Sequence, residues 1–269
     1  MEWKNIHINV YKSCIYTILV CLTLVSALRV PVSATGEAYN WYCKRNKEHR
    51  QPIADANMLF IEKYDGYYID KKHGDSSKEK VAYLTFDAGY ENGNVAKILD
   101  ILKEEGVPGA FFILGNLIER NTELVERMTA EGHLVCNHTM HHHDMTRVSS
   151  KGEFEHELTA LEKLYTEKTG KTLSKYYRPP EGRFDQKTLE YARSLGYKTV
   201  FWSIAYADWD NEKQPSVEDA KKKILDNLHN GAVILLHPTS ETNALILKDI
   251  ITEMKAQGYR FGTLDELTK

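Results

Sequence analysis

Basic charge is what this chain lacks most plainly: 35 lysines and arginines stand against 38 aspartates and glutamates, a formal charge of −3. A protein that tracks phosphates carries a basic face or stripe, so nucleic acid is excluded as the expected partner, whereas a neutral glycan asks for no such field. Cysteine is scarce too. Of four in 269 residues, Cys14 and Cys21 lie in the N-terminal apolar run, which leaves Cys43 and Cys136. Spacing alone does not decide between one bridge and two buried thiols. Low hydrophobicity is also absent, since 42% of residues are hydrophobic and 27% charged. That balance excludes a disordered chain and implies a packed core.

The one long apolar run, Cys14 to Leu28, follows Lys4 and Lys12 and precedes the small residues Ser33 and Ala34. Residues 1–34 therefore read as a signal peptide, with an uncleaved membrane anchor as the alternative, because Arg29 closes a run near the lower limit for a bilayer span. Either way the rest of the chain is exported. Residues 35–79 are aromatic and charged without a clean period and read as an N-terminal extension packing on a larger domain at 80–269.

From residue 80 the pattern is regular. Short β-rich runs recur at 81–86, 109–114, 133–137, 198–203 and 232–237. Between them apolar residues recur at three and four spacing: Val95, Ile98, Leu99 and Leu102; Leu158, Leu161 and Leu164; Leu245, Ile246, Ile250 and Met254. Gly106, Gly132, Gly196, Gly231 and Gly258 stand where helices should stop. Alternating strand and helix predicts an α/β fold with a parallel sheet or barrel inside and helices outside.

Ionisable residues gather where such strands end. Asp87 follows VAYLTF, His138 follows HLVCN, Arg178 follows a tyrosine pair, Asp208 lies just beyond KTVFWS, and His237 ends AVILLH. In parallel α/β folds strand C-termini share one rim, so these residues should converge. A helical turn over NHTMHHH would put His138 and His142 on one face, able to share a metal ion. His141 and His143 are out of phase and read as flanking residues, and His133 as structural. Asp87 reads either as a turn residue or as a base held ionised by Arg178. Asp208 would raise the basicity of His237, leaving its other N–H to protonate a leaving amine; alone, His237 would read as a core histidine. The paired prolines Pro179 and Pro180 stiffen a loop that suits a substrate-facing wall.

Taken together and in order, TFDAG, NHTMHH, RPPEG, the Asp208 and Trp209 pair, and LLH ending at His237 resemble the polysaccharide deacetylases of carbohydrate esterase family 4, over residues 80–265. The resemblance implies a distorted (β/α) barrel of about seven repeats and metal-dependent N-deacetylation of glycan amino sugars. It assigns Asp87 as general base, His138 and His142 as metal ligands, Arg178 as the residue orienting the base, Asp208 as tuning the acid and His237 as the acid. Pro180, Trp209 and Leu235 would contact substrate, the last two beside the acetyl methyl, and a backbone N–H of the RPPEG loop would face the oxyanion. Two positions depart from the family: Ala88 stands where a second aspartate ligates the metal, and Glu181 replaces a tyrosine. The divalent ion, zinc or another transition metal, would then rest on two histidines with water, substrate or Asp87. The aromatic N-terminal region, TFDAGYENG and RPPEG look like the muramic δ-lactam branch, which implies N-acetylmuramic acid in spore-cortex peptidoglycan as substrate. The expected partner is a peptidoglycan strand, the expected place the cell-wall or cortex side of the membrane, and the expected state a monomer. Deacetylation of N-acetylglucosamine in peptidoglycan or chitin is one alternative, and glycan binding without catalysis another.

Overall fold

The computed structural model describes residues 36–269, and the export segment read at residues 1–34 lies outside the described residues. The fold is that of the unit Ala38–Lys269.

Period-two alternation builds the centre. Strands β1 (Gly66–Tyr67), β2 (Lys80–Ala88), β3 (Gly109–Ile113), β4 (Leu134–Asn137), β5 (Ser174–Tyr177), β6 (Lys198–Val200) and β7 (Ala232–Leu236) lie in the order β7-β2-β3-β4-β5-β6-β1. Every neighbouring pair is parallel, and β8 (Tyr259–Phe261) joins the start of β2. The ring closes through irregular backbone: Ser203 and Ile204 donate to Val233 O at 2.9 and 3.1 Å, and Leu235 donates to Ile204 O at 2.9 Å. This is the distorted barrel of about seven repeats that the family resemblance implied. β1 falls within the segment read as an extension, and β5 has no apolar run to announce it. The predicted strand at 198–203 stops at Val200: Phe201 makes the last ladder bond to β1, donating to Tyr67 O, and Ser203 and Ile204 donate to Val233 O on β7 instead.

Along β2 the alternation sorts two cores. Val81 and Tyr83 point inward with Phe112, Cys136, Val200 and Val233, while Ala82, Leu84, Phe86 and Ala88 pack outward against the helices. Thr85 and Asp87 continue the inward set to the rim. The covering helices include α1 (Val95–Glu105), α2 (Gly115–Arg120), α3 (Thr122–Ala130), α4 (Lys151–Thr169), α5 (Gln186–Ser194), α6 (Val217–Leu225), α7 (Glu241–Ala256) and α8 (Leu264–Leu267). Val95, Ile98, Leu99 and Leu102 are all buried, each contributing about 1.5–3 kcal/mol of transfer free energy. Gly106, at φ 62°, ends α1 by returning its N–H to Leu102 O and Lys103 O. The third stripe is displaced: Leu245 is 63% exposed, and the buried face of α7 runs through Ile246, Leu247, Ile250, Ile251 and Met254.

The segment before β2 is built on aromatic packing. Trp41, Met58, Ile61 and Tyr68 share a core with Phe184, Leu189 and Phe201. Trp41 stacks on Phe201 at 4.4 Å and donates from its ring nitrogen to Trp202 O at 2.8 Å. It thereby fixes the backbone just past β6. Cys43 and Cys136 are free, buried in separate cores, and burial raises the Cys43 thiol to about 12. His133 is structural, its Nδ1 accepting the Gly109 N–H at 3.1 Å. Among the described residues no helix is long and apolar enough to cross a membrane.

Candidate active site

The inward parity of β2 delivers Asp87 to the rim, where Arg178 holds it. Arg178 is fully buried. Its Nη1 donates to Asp87 Oδ1 at 2.8 Å, Nη2 to Thr85 Oγ1 at 2.9 Å, and Nε to Val200 O at 2.9 Å, with the guanidinium 4.1 Å from the Phe112 ring centre. Burial opposes a charge on Asp87, but Arg178, then His138 and His237, outweigh it and hold the carboxyl below its ordinary value. Oδ2 of this ionised group takes no part in the arginine contact.

His138 and His142 meet, although not by the predicted helical turn. Residues 138–144 carry no helix. Instead Thr139 and His142 adopt φ of 74° and 61°, which folds the loop back so that the two rings stand edge to face at 4.9 Å. Left-handed backbone at non-glycine residues costs about 1–3 kcal/mol each, so side-chain hydrogen bonds must hold it. Buried Asn137 supplies them: its Oδ1 accepts Thr139 N–H at 2.9 Å while its Nδ2 donates to Leu158 O and Tyr197 Oη. Thr139 Oγ1 then accepts His142 N–H at 2.9 Å.

The donor set suits a transition-metal ion. His138 Nδ1 lies 2.8 Å from Arg178 O, the arrangement in which a ligating imidazole has its other nitrogen fixed by a carbonyl. Nε2 is left 3.5 Å from Asp87 Oδ2. Burial lowers the His138 pKa to about 4 and lowers that of His142 as well, so both are neutral donors near pH 7. Ala88 adds nothing, because its methyl is enclosed in the outer core.

Opposite stands the second pair. His237 Nδ1 lies 2.7 Å from Asp208 Oδ1, and Asp208 Oδ2 accepts the His237 backbone N–H at 2.8 Å. Burial alone would lower the imidazole pKa; the hydrogen bond and charge of Asp208, then Asp87, raise it above its ordinary value. Asn243, on the first turn of α7, donates to Asp208 Oδ2 at 2.6 Å and to His237 O at 3.0 Å, and Tyr206 donates in turn to Asn243 Oδ1.

Asp87, His138, His142 and His237 border one cavity of about 690 Å³ together with Trp209 and Leu235, while Arg178 and Asp208 reach it only through the side chains they hold. Trp209 is 62% exposed, its ring 6.3 Å from that of His237. Pro180, predicted as a substrate contact, is buried at the start of a tight turn, and its neighbours Glu181 and Gly182 face the cavity instead. Thr85, Asn243, Tyr206 and Trp202 are neighbours of these groups that the sequence does not single out. Only Thr85 leaves a signal, sharing the parity of Asp87.

A parallel sheet curled into a distorted barrel, with ionisable groups gathered at the C-terminal ends of its strands, is the place where (β/α) barrel enzymes build their active sites. A polysaccharide deacetylase family model matches residues 74–200. The chain is 40% identical over 233 residues to the peptidoglycan-N-acetylmuramic acid deacetylase PdaA of Bacillus subtilis, with 86% of each chain covered. It matches the structure of that family 4 carbohydrate esterase with a TM-score of 0.80, over 86% of this chain and 97% of the other. A family 4 carbohydrate esterase from Bacillus anthracis is 37% identical, with a TM-score of 0.68 over 83% of this chain and 98% of that one. The peptidoglycan-N-acetylglucosamine deacetylase of Bacillus cereus is 33% identical over 72% of this chain and 90% of its own. The chain belongs to the polysaccharide deacetylases, carbohydrate esterase family 4.

Proposed function

We propose that the protein hydrolyses the acetamide of N-acetylmuramic acid in peptidoglycan strands that have lost their peptide, outside the cytoplasm, freeing the amine that closes a muramic δ-lactam in spore cortex. The observation that carries it is the opposition, across one cavity, of an arginine-held carboxylate and an aspartate-backed imidazole. The 40% identity to an N-acetylmuramic acid deacetylase supports the choice of sugar.

A divalent metal held by His138 and His142 would supply Lewis-acid polarisation of the acetamide carbonyl. Asp87 removes a proton from the attacking water through Oδ2, its Oδ1 being held by Arg178. As the new carbon–oxygen bond forms, negative charge collects on the former carbonyl oxygen. In the RPPEG loop the prolines have no N–H, and those of Arg178 and Gly182 are taken by Asn137 O and Pro179 O. Glu181, with φ 57°, is therefore the residue whose N–H remains for that oxygen. The carbon–nitrogen bond then breaks as His237 delivers the Nε2 proton to the departing amine, releasing acetate. Leu235 walls the acetyl methyl, and the exposed face of Trp209 stacks on a sugar.

Mass spectrometry of peptide-free muramic strands after incubation with the metal-loaded protein should show loss of acetyl groups from muramic acid and its lactam after cyclisation. Acetate released from chitin oligomers but not from these strands would transfer the activity to N-acetylglucosamine. Saturable glycan binding with no acetate released from either, at any divalent metal concentration, would make the protein a glycan binder.

The acid must be protonated to act, and its raised pKa widens the pH range in which it is. Activity should therefore fall as pH rises through the His237 value. In Asp208→Asn the raising contributions of the aspartate are removed and burial remains, so the alkaline limb of the kcat/KM profile should move to lower pH. An unmoved limb would remove His237 from the role of acid.

A further inference from the structure

His141 and His143 flank His142 in sequence and turn to the other side of the loop. Their rings stack at 5.4 Å with planes 20° apart, and both Nδ1 atoms address the same carboxylate oxygen, Glu157 Oε1, at 2.7 and 3.6 Å. Glu157 projects from α4 and is 5% exposed, whereas the His141 and His143 side chains are 54% and 64% exposed. Its second oxygen accepts the His141 backbone N–H at 3.0 Å, and its carbonyl accepts that of Met140 at 3.1 Å. One ligand atom from each of the three residues lies within 4.8 Å of the others, the one such set among the described residues.

A hydrogen bond alone accounts for His141 but not for His143, which lies too far from the carboxylate to bond it. Two imidazole nitrogens converging on one anionic oxygen, with the imidazole side open to solvent, describe the donors of a metal site with coordination positions left for water. Nitrogen donors favour zinc, copper or nickel over magnesium or calcium, which prefer oxygen. We propose that His141, His143 and Glu157 bind a second divalent transition-metal ion, separate from the rim imidazoles His138 and His142. The ion ties the loop to α4 on either side of His142, whose left-handed backbone it thereby steadies.

The test is stoichiometry, which does not depend on activity. Full-length protein stripped with chelator is titrated with Zn²⁺ by calorimetry and by equilibrium dialysis, alongside the double variant His141→Ala, His143→Ala and the single variant Glu157→Gln. Both histidines are exposed, so the double variant should fold as the parent does. It is expected to bind one equivalent fewer than the parent, and Glu157→Gln to bind the same equivalent at least tenfold more weakly. The ion should also raise the unfolding temperature of the parent more than that of the double variant. Equal stoichiometry and affinity in the parent and the double variant would overturn the proposal.

Discussion

Asp87→Asn should lower kcat for acetate release about 10²–10⁴-fold, the range a positioned general base contributes, while KM changes little. The amide keeps an oxygen for Arg178 Nη1 and matches the carboxylate in size, so the cavity survives and only proton acceptance is lost. Steady-state acetate release on peptide-free strands, with circular dichroism confirming the fold, checks this. Near-parental turnover would mean that the water is activated elsewhere and that Asp87 serves the scaffold alone.

Arg178→Met should act first on stability, lowering it by about 3–5 kcal/mol as expected when one member of a buried ion pair is removed. Arg178 is fully buried, and its loss leaves the Asp87 charge enclosed beside the rim. The sign of the pH dependence distinguishes this from simple loss of packing. In the parent, the depressed Asp87 pKa contributes stability that is present above the ordinary carboxylate value and is lost as pH falls through the folded one. Without the guanidinium, burial dominates and raises the folded pKa, so the carboxylate destabilises the variant near neutral pH and does so less as pH falls. Denaturant unfolding at pH 7 and pH 5 should show the gap between parent and variant narrowing at the lower pH. Adding Asp87→Asn to Arg178→Met should restore much of the lost stability at pH 7. A gap independent of pH and additive losses would assign the effect to packing around Phe112.

Much of this is legible in the sequence because the informative signals are local. Asp87, His138 and His237 each close a short apolar run, and strand ends in a parallel fold converge. The family order of the motifs then names the barrel. What stays hidden depends on contacts between distant segments. β1 is two residues long and exists because Asp65 O and Tyr67 O receive N–H groups from Thr199 and Phe201; no periodicity records that. The tight turn that buries Pro180 and presents Glu181 depends on a positive φ at a glutamate, which its side chain does not advertise. Apolar spacing puts Leu245 on the buried face of its helix, because spacing alone cannot locate the centre of a stripe flanked by further leucines. Asn243 sits on a helix of ordinary composition, and only the fold reveals that it anchors the partner of His237.

Asn137 touches no substrate in the proposed reaction, yet it sets the span between the two rim imidazoles. The histidine motif is thus incomplete as a string of letters. A homologous chain carrying both imidazoles with a small apolar residue in place of this amide would keep the chemical groups and lose the ruler that spaces them. Under the proposed ligation its metal affinity would fall although both imidazoles were still present.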